Sequence, residues 1–173
     1  MGRGSTGAKA GAVAGILYGA VLAVLTEIIL YVEKSSIMSA LSVYAKEFST
    51  SAITISASSI YNSEVTIAPV GLIIEGIIGG LILGAIFGVA VHRIPGRNDK
   101  VKGIAFGSIL WILFDVLLGL LSRSEYGNTY YVLTVVAGLV SVVIYGYILG
   151  VLFGKWWVEP SSQRQNDTFQ FNQ

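Results

Sequence analysis

The chain has no cysteine and only one histidine, His92, in its 173 residues. Without Cys there is no disulfide, no thiolate metal site, no Fe–S cluster and no cysteine nucleophile. One His and two Met are too few for a haem ligand pair, a His-rich zinc site or a Ser-His-Asp triad. The inventory therefore predicts no enzyme, no cofactor and no resident metal. Charge is scarce as well: 12% of residues are charged, against about 25% in an ordinary soluble domain. A net charge of +1 gives no field that would steer the chain toward nucleic acid.

Apolar residues and glycine fill the space that charge leaves. The chain is 54% hydrophobic, carries 21 Gly and has a mean hydropathy of +0.73. This is neither a soluble nor a disordered composition. It predicts a membrane protein whose first partner is the bilayer itself.

A hydrocarbon core of about 30 Å takes about 20 apolar helical residues to cross. Four stretches qualify, at 10–32, 68–91, 103–121 and 130–152. The second begins just before Pro69, which a helix tolerates in its first turn, and ends before the stop signal Pro95-Gly96. The expected fold is all-α, a four-span bundle between a flexible tail at 1–9 and an interfacial segment with a polar tail at 153–173. Span one is too long for a signal-peptide h-region, and no clear small-x-small cleavage site follows it, so it reads as a retained helix. The start Met-Gly-Arg-Gly-Ser-Thr loosely fits a myristoylation pattern, but a chain held by four helices gains little from a lipid, and it reads as a flexible tail.

Basic residues set the expected orientation. Arg3 and Lys9, the loop carrying Arg93, Arg97, Lys100 and Lys102, and Lys155 with Arg164 hold most of the 11 Lys and Arg. The positive-inside rule then places both termini and the 92–102 loop in the cytoplasm of a cell membrane. That basic loop could also bind anionic lipid or a partner's acidic face, although the topology signal alone explains it. The outer loop, 33–67, is rich in Ser and Thr. Ile37, Leu41, Tyr44 and Phe48 follow Ser36, a plausible N-cap, at helical spacing, which predicts a short interfacial helix. Residues 52–57 alternate with period two and could form a strand, so that the loop caps the bundle. The Gln- and Asn-rich tail from 160 is expected to be disordered unless a partner binds it.

Two sequence features repeat. Gly80-Leu-Ile-Leu-Gly84-Ala-Ile-Phe-Gly88 reads almost letter for letter as Gly146-Tyr-Ile-Leu-Gly150-Val-Leu-Phe-Gly154, and Gly11-Ala-Val-Ala-Gly15 more weakly as Gly103-Ile-Ala-Phe-Gly107. This predicts two duplicated hairpins, against the plainer alternative that glycine-rich helices look alike by composition. The second feature is small residues at every fourth position: Gly11, Gly15, Gly19; Gly76, Gly80, Gly84, Gly88; Gly103, Gly107; Gly138, Gly146, Gly150, Gly154. Such stripes let helix backbones approach closely in lipid. Four of them suggest more packing surface than one small bundle uses, and so a homo-oligomer or other membrane subunits as partners.

Three acids lie inside the spans, where each costs about 2.5–3.5 kcal/mol at a helix centre on insertion scales. Glu27, Glu75 and Asp115 are expected at one level in the outer half, with Thr134 and Ser141 completing a polar layer. No Lys or Arg lies at that depth, so at least one acid is expected to hold a proton. Carboxylates suit H⁺ or a hard cation, and the alternative is hydrogen-bonded glue between helices. Two functions follow: a non-catalytic subunit of a larger membrane complex or homo-oligomer, or a small oligomeric transporter or channel handling protons or cations.

Overall fold

The computed structural model describes residues 2–49, 54–121 and 123–157, and among them there is no strand. In chain order they form α1 (Arg3–Val32), α2 (Lys34–Phe48), α3 (Ala57–Ala90), α4 (Asp99–Trp111), a π-helical stretch (Ile112–Leu117), a 3-10 turn (Leu118–Leu121), α5 (Arg123–Tyr126) and α6 (Asn128–Trp156). Four helical rods, α1, α3, α4 with its continuation, and α6, are long and apolar enough to cross a bilayer. Their outward faces are Val, Ile and Leu, with Val24 60%, Ile74 51%, Val89 63% and Val136 55% exposed. A water-soluble monomer rarely shows so continuous an apolar surface, whereas acyl chains accept it. The chain is a multi-pass membrane protein.

Helix ends depart from the hydropathy reading in several places. Residues 3–9, expected as a flexible tail, are the first turns of α1, with Thr6 and Gly7 buried and Gly7 seated on Gly84, because the small-residue contact with α3 continues past the apolar stretch. At the other terminus α6 continues to Trp156, into the expected interfacial segment. α3 starts at Ala57, where Ser56 caps it by accepting from the Ser59 N–H, so Pro69 lies inside the helix and not in its first turn. The reason is physical: hydropathy marks where the bilayer ends, and a helix of 34 residues, about 51 Å long, extends past it on a polar stretch. At the other boundary Glu33 both ends α1 and starts α2, which leaves Ser36 inside the helix and not at its cap.

The helix predicted in the outer loop exists, but its surroundings differ. Ile37, Leu41 and Ala45 form its buried stripe, packed into a cluster with Leu30 of α1 and Tyr61 of α3. The Tyr61 hydroxyl donates to the Leu30 carbonyl at 3.0 Å and ties α3 to α1 there. α2 is therefore a packed cap and not a helix floating on the interface. Of the proposed strand, residues 54–56 are irregular and Ala57 opens α3. Residues 52 and 53, the Phe48 side chain and the tail from 160 lie outside the described residues.

Backbone contact between glycines holds α1 against α3. Gly7, Gly11 and Gly15 seat on Gly84, Gly80 and Gly76 in antiparallel order, Gly19 lies over Leu72 and Ile73, and Gly88 meets the Arg3 backbone. A Cβ on Gly11 would overlap the Gly80 carbonyl oxygen and come within 2.6 Å of the Gly84 Cα. α4 meets α6 in the same manner, Gly103 on Gly146 and Gly150, and Gly107 on Val142 and Gly146. Gly150 lies on the Asp99 backbone and Gly154 against the Asp99 carboxylate.

The two pairs join through α1 and α6, where Ala10 and Ala14 pack in one core with Tyr145, Leu149 and Phe153. α3 and α4 touch where the Phe87 and Phe106 rings meet at 5.5 Å and otherwise hardly contact one another. A cleft therefore opens between them. The end closed by these rings also gathers the start of α1 and the end of α6, with the Arg3 guanidinium 5.4 Å from the centre of the Trp157 ring.

Candidate functional site: an acidic cleft between two helix pairs

Glu75 immediately precedes Gly76, the residue that seats α3 on Gly15. A neighbour in sequence is turned by about 100° around a helix, so Glu75 leaves the seam and enters the cleft. Gly71 and Gly79, one turn to either side, meet nothing within 4 Å of where a Cβ would stand. They keep the α3 wall open above and below the carboxylate. Asp115 approaches from the opposite wall, on the π-helical stretch Ile112–Leu117. Its carboxylate lies against Gly138, where a Cβ would fall on Oδ1. Gly138 thus makes room for an acid and is not a helix seam like the other striped glycines.

Two cavities meet at these acids. One of about 290 Å³ lies between α3 and α4 on a floor of Tyr18 from α1 and Tyr145 from α6. The other, about 560 Å³, runs toward the α2 and α5 end past Thr26, Ser63, Glu64, Tyr130 and Thr134. Glu75, Phe114 and Asp115 line both. Among the described residues no Lys, Arg or His lines either one. The Tyr18 and Tyr145 rings meet edge to face at 6.0 Å, and the Tyr145 hydroxyl points at the Gly80 carbonyl oxygen, 3.5 Å away. At the wide end Tyr126 stacks on Tyr130 with centroids 4.8 Å apart and donates its hydroxyl to Glu64 Oε1 at 2.6 Å.

The remaining expected residues are placed differently. Glu27 lines neither cavity, and its Oε1 is buried without a hydrogen-bond partner. Continuing the register of α1 on α3 sets Glu27 opposite Glu64, about 16 Å along the helix from Glu75, so the three acids do not share one level. The expectation of a single level depends on starting the second span at residue 68. Ser141 is fully buried, donates to the Ala137 carbonyl of its own helix and lines neither cavity. Thr134 does line the larger cavity, with its hydroxyl on the Tyr131 carbonyl at 2.9 Å. Arg93 and Arg97 lie in the exposed turn after α3, and Lys100 and Lys102 in the first turn of α4, far from the cleft.

Tyr18, Phe114 and Tyr145 also line the cleft, and neither the glycine spacing nor the intramembrane acids point to them. A signal was available for the tyrosines, because a phenol in the middle of an apolar helix needs somewhere to put its hydroxyl.

Residues 1–164 match the family model described as a family of unknown function, DUF6789. The chain belongs to that family. No curated protein and no solved structure matches it. The DUF6789 match spans all four membrane helices and every residue of the cleft.

Proposed function

We propose that this protein handles a proton or a small cation inside the membrane, with Glu75 and Asp115 as the site. The observation that carries the proposal is their common position: two acids from different helix pairs meet where both cavities join, with no basic side chain among the described residues lining either cavity. Acids inside a bilayer are costly and usually face a cavity or an ion path. The larger cavity gives the site a polar approach from the α2 and α5 end, and Thr134 and Glu64 supply oxygen atoms along it.

A purely structural role as a subunit requires glycine faces left over for a partner. Most of those glycines pack against one another inside the chain, so they no longer argue for a further partner. Two finer points belong to the same proposal. Both termini are cytoplasmic, supported by Arg3, Lys9, Arg93, Arg97, Lys100, Lys102 and Lys155 lying at one end. The chain is also a duplicated hairpin, supported by matched contacts: offsets of 92 and 66 carry Gly11 on Gly80 and Gly84 onto Gly103 on Gly146 and Gly150.

The test is reconstitution of the full chain in liposomes containing a pH-sensitive dye, with Na⁺, K⁺ or Mg²⁺ gradients imposed in turn. Wild type is expected to move protons or a cation faster than empty liposomes. Glu75→Gln and Asp115→Asn should each reduce the rate about 100-fold or more, the contribution of a positioned proton-transfer group. Glu27→Gln, outside both cavities, should leave it unchanged. Equal rates in wild type and both cleft variants would sink the proposal.

A further inference from the structure

The walls of the cleft say more than its acids do. Resting on the proposed cation-handling role, we propose that the preferred ligand is an organic monocation with an apolar body, such as an alkyl- or arylammonium, entering sideways from the lipid between α3 and α4. Three observations carry this. First, the smaller cavity is walled by Ile82, Leu83, Leu110 and Val142, and among the described residues its acids are the only formal charges on its lining. Second, Tyr18, Phe114 and Tyr145 bring three aromatic rings to the same space, and rings of this kind attract quaternary ammonium groups through their faces. Third, its volume of about 290 Å³ lies at the lower end of small-molecule sites and exceeds what a bare metal ion fills.

A hard metal ion fits the same space poorly. Ca²⁺ takes six to eight oxygen ligands and Mg²⁺ an octahedron of them. Among the described residues no three His, Asp or Glu side chains come together as a metal-binding group. An anion is disfavoured by the carboxylates themselves. The lateral entrance follows from the fold, because α3 and α4 close on one another only at the Phe87–Phe106 end. Glu75 is itself exposed on that open side, as are Phe114 at 51% and Ile82 at 53%.

The experiment uses the full chain in nanodiscs of neutral phosphatidylcholine and measures calorimetric binding of benzyltrimethylammonium. Its uncharged isostere neopentylbenzene and Mg²⁺ are the comparison probes. Saturable binding of the ammonium is expected, weakened more than about tenfold by Glu75→Gln and by Asp115→Asn, with little binding of the isostere or of Mg²⁺. Phe114→Leu should weaken it by a few-fold to about tenfold, the span of a cation–π contact. Glu75→Asp keeps the charge and should keep most of the affinity, which separates loss of charge from damage to the fold. Equal binding of the neutral isostere, or ammonium binding indifferent to both acids, would overturn the inference. Proton or inorganic-cation flux in liposomes without ammonium binding would overturn it too, while leaving the proposed function standing. Neither flux nor binding would remove both.

Discussion

At the scale of single residues, the glycines of the spans do three different jobs. Gly11 and Gly15 are seams, Gly71 and Gly79 are open wall, and Gly138 is a niche for the Asp115 carboxylate. One series of alanine variants separates them, read by unfolding midpoint in mild detergent and by flux. Gly11→Ala must push two backbones apart and should cost about 1–3 kcal/mol, as overpacking does. Gly79→Ala meets open space inside α3 and should leave stability intact or raise it by up to about 1 kcal/mol. Gly138→Ala should displace the Asp115 carboxylate, lowering flux more than stability. The four-residue spacing made the seams legible in the sequence because backbone contact depends on the absence of a side chain and on little else. It sets Gly71 and Gly79 out of phase with the Gly76–Gly88 seam but could not tell Gly138 from a seam glycine, since that depends on what faces it. Ser141 illustrates the same limit: its place in the span suggests a polar layer, but its hydroxyl is spent on its own helix.

At the scale of elements, hydropathy located the four crossings because each must be apolar over a bilayer's thickness. It did not locate helix ends, because a helix continues through Ser58, Asn62 and Glu64 as readily as through leucine when α2 packs on it and Tyr126 of α5 donates to Glu64. Nor did it reveal the π-helical stretch, which no composition signals. That stretch has a consequence for the site. A π turn carries one residue more than an α turn and rotates the rest of the rod by about 100°. The Trp111 indole fixes the preceding turn by donating to the Val135 carbonyl at 2.8 Å. Deleting Val116 should restore α-helical register beyond this anchor and turn the segment toward Gly119 away from its present neighbours. The expected outcome is unchanged helix content by circular dichroism with flux lost, and full activity in the deletion would show that the π turn does not set the site.

At the scale of the whole molecule, orientation can be read directly, because a chain without cysteine accepts single labels cleanly. Ser58→Cys and Arg97→Cys lie in exposed positions at opposite ends of α3 and its following turn. In intact cells Ser58→Cys should react with an impermeant maleimide and Arg97→Cys should not, and the reverse pattern would invert the topology. The architecture also distributes stiffness unevenly. Glycine contact locks α1 to α3 and α4 to α6, and the α1 and α6 core joins the pairs, while α3 and α4 are held together chiefly at one end. The fourth side of the cleft is therefore furnished by the bilayer. Lipid is then a wall of the site as well as its solvent: acyl-chain length and lateral pressure set how wide that wall stands, and a detergent micelle replaces it with something softer. On the proposed function, affinity and rate become properties of the protein together with its annular lipid, and the same polypeptide is expected to behave differently in a thin membrane and in a thick one.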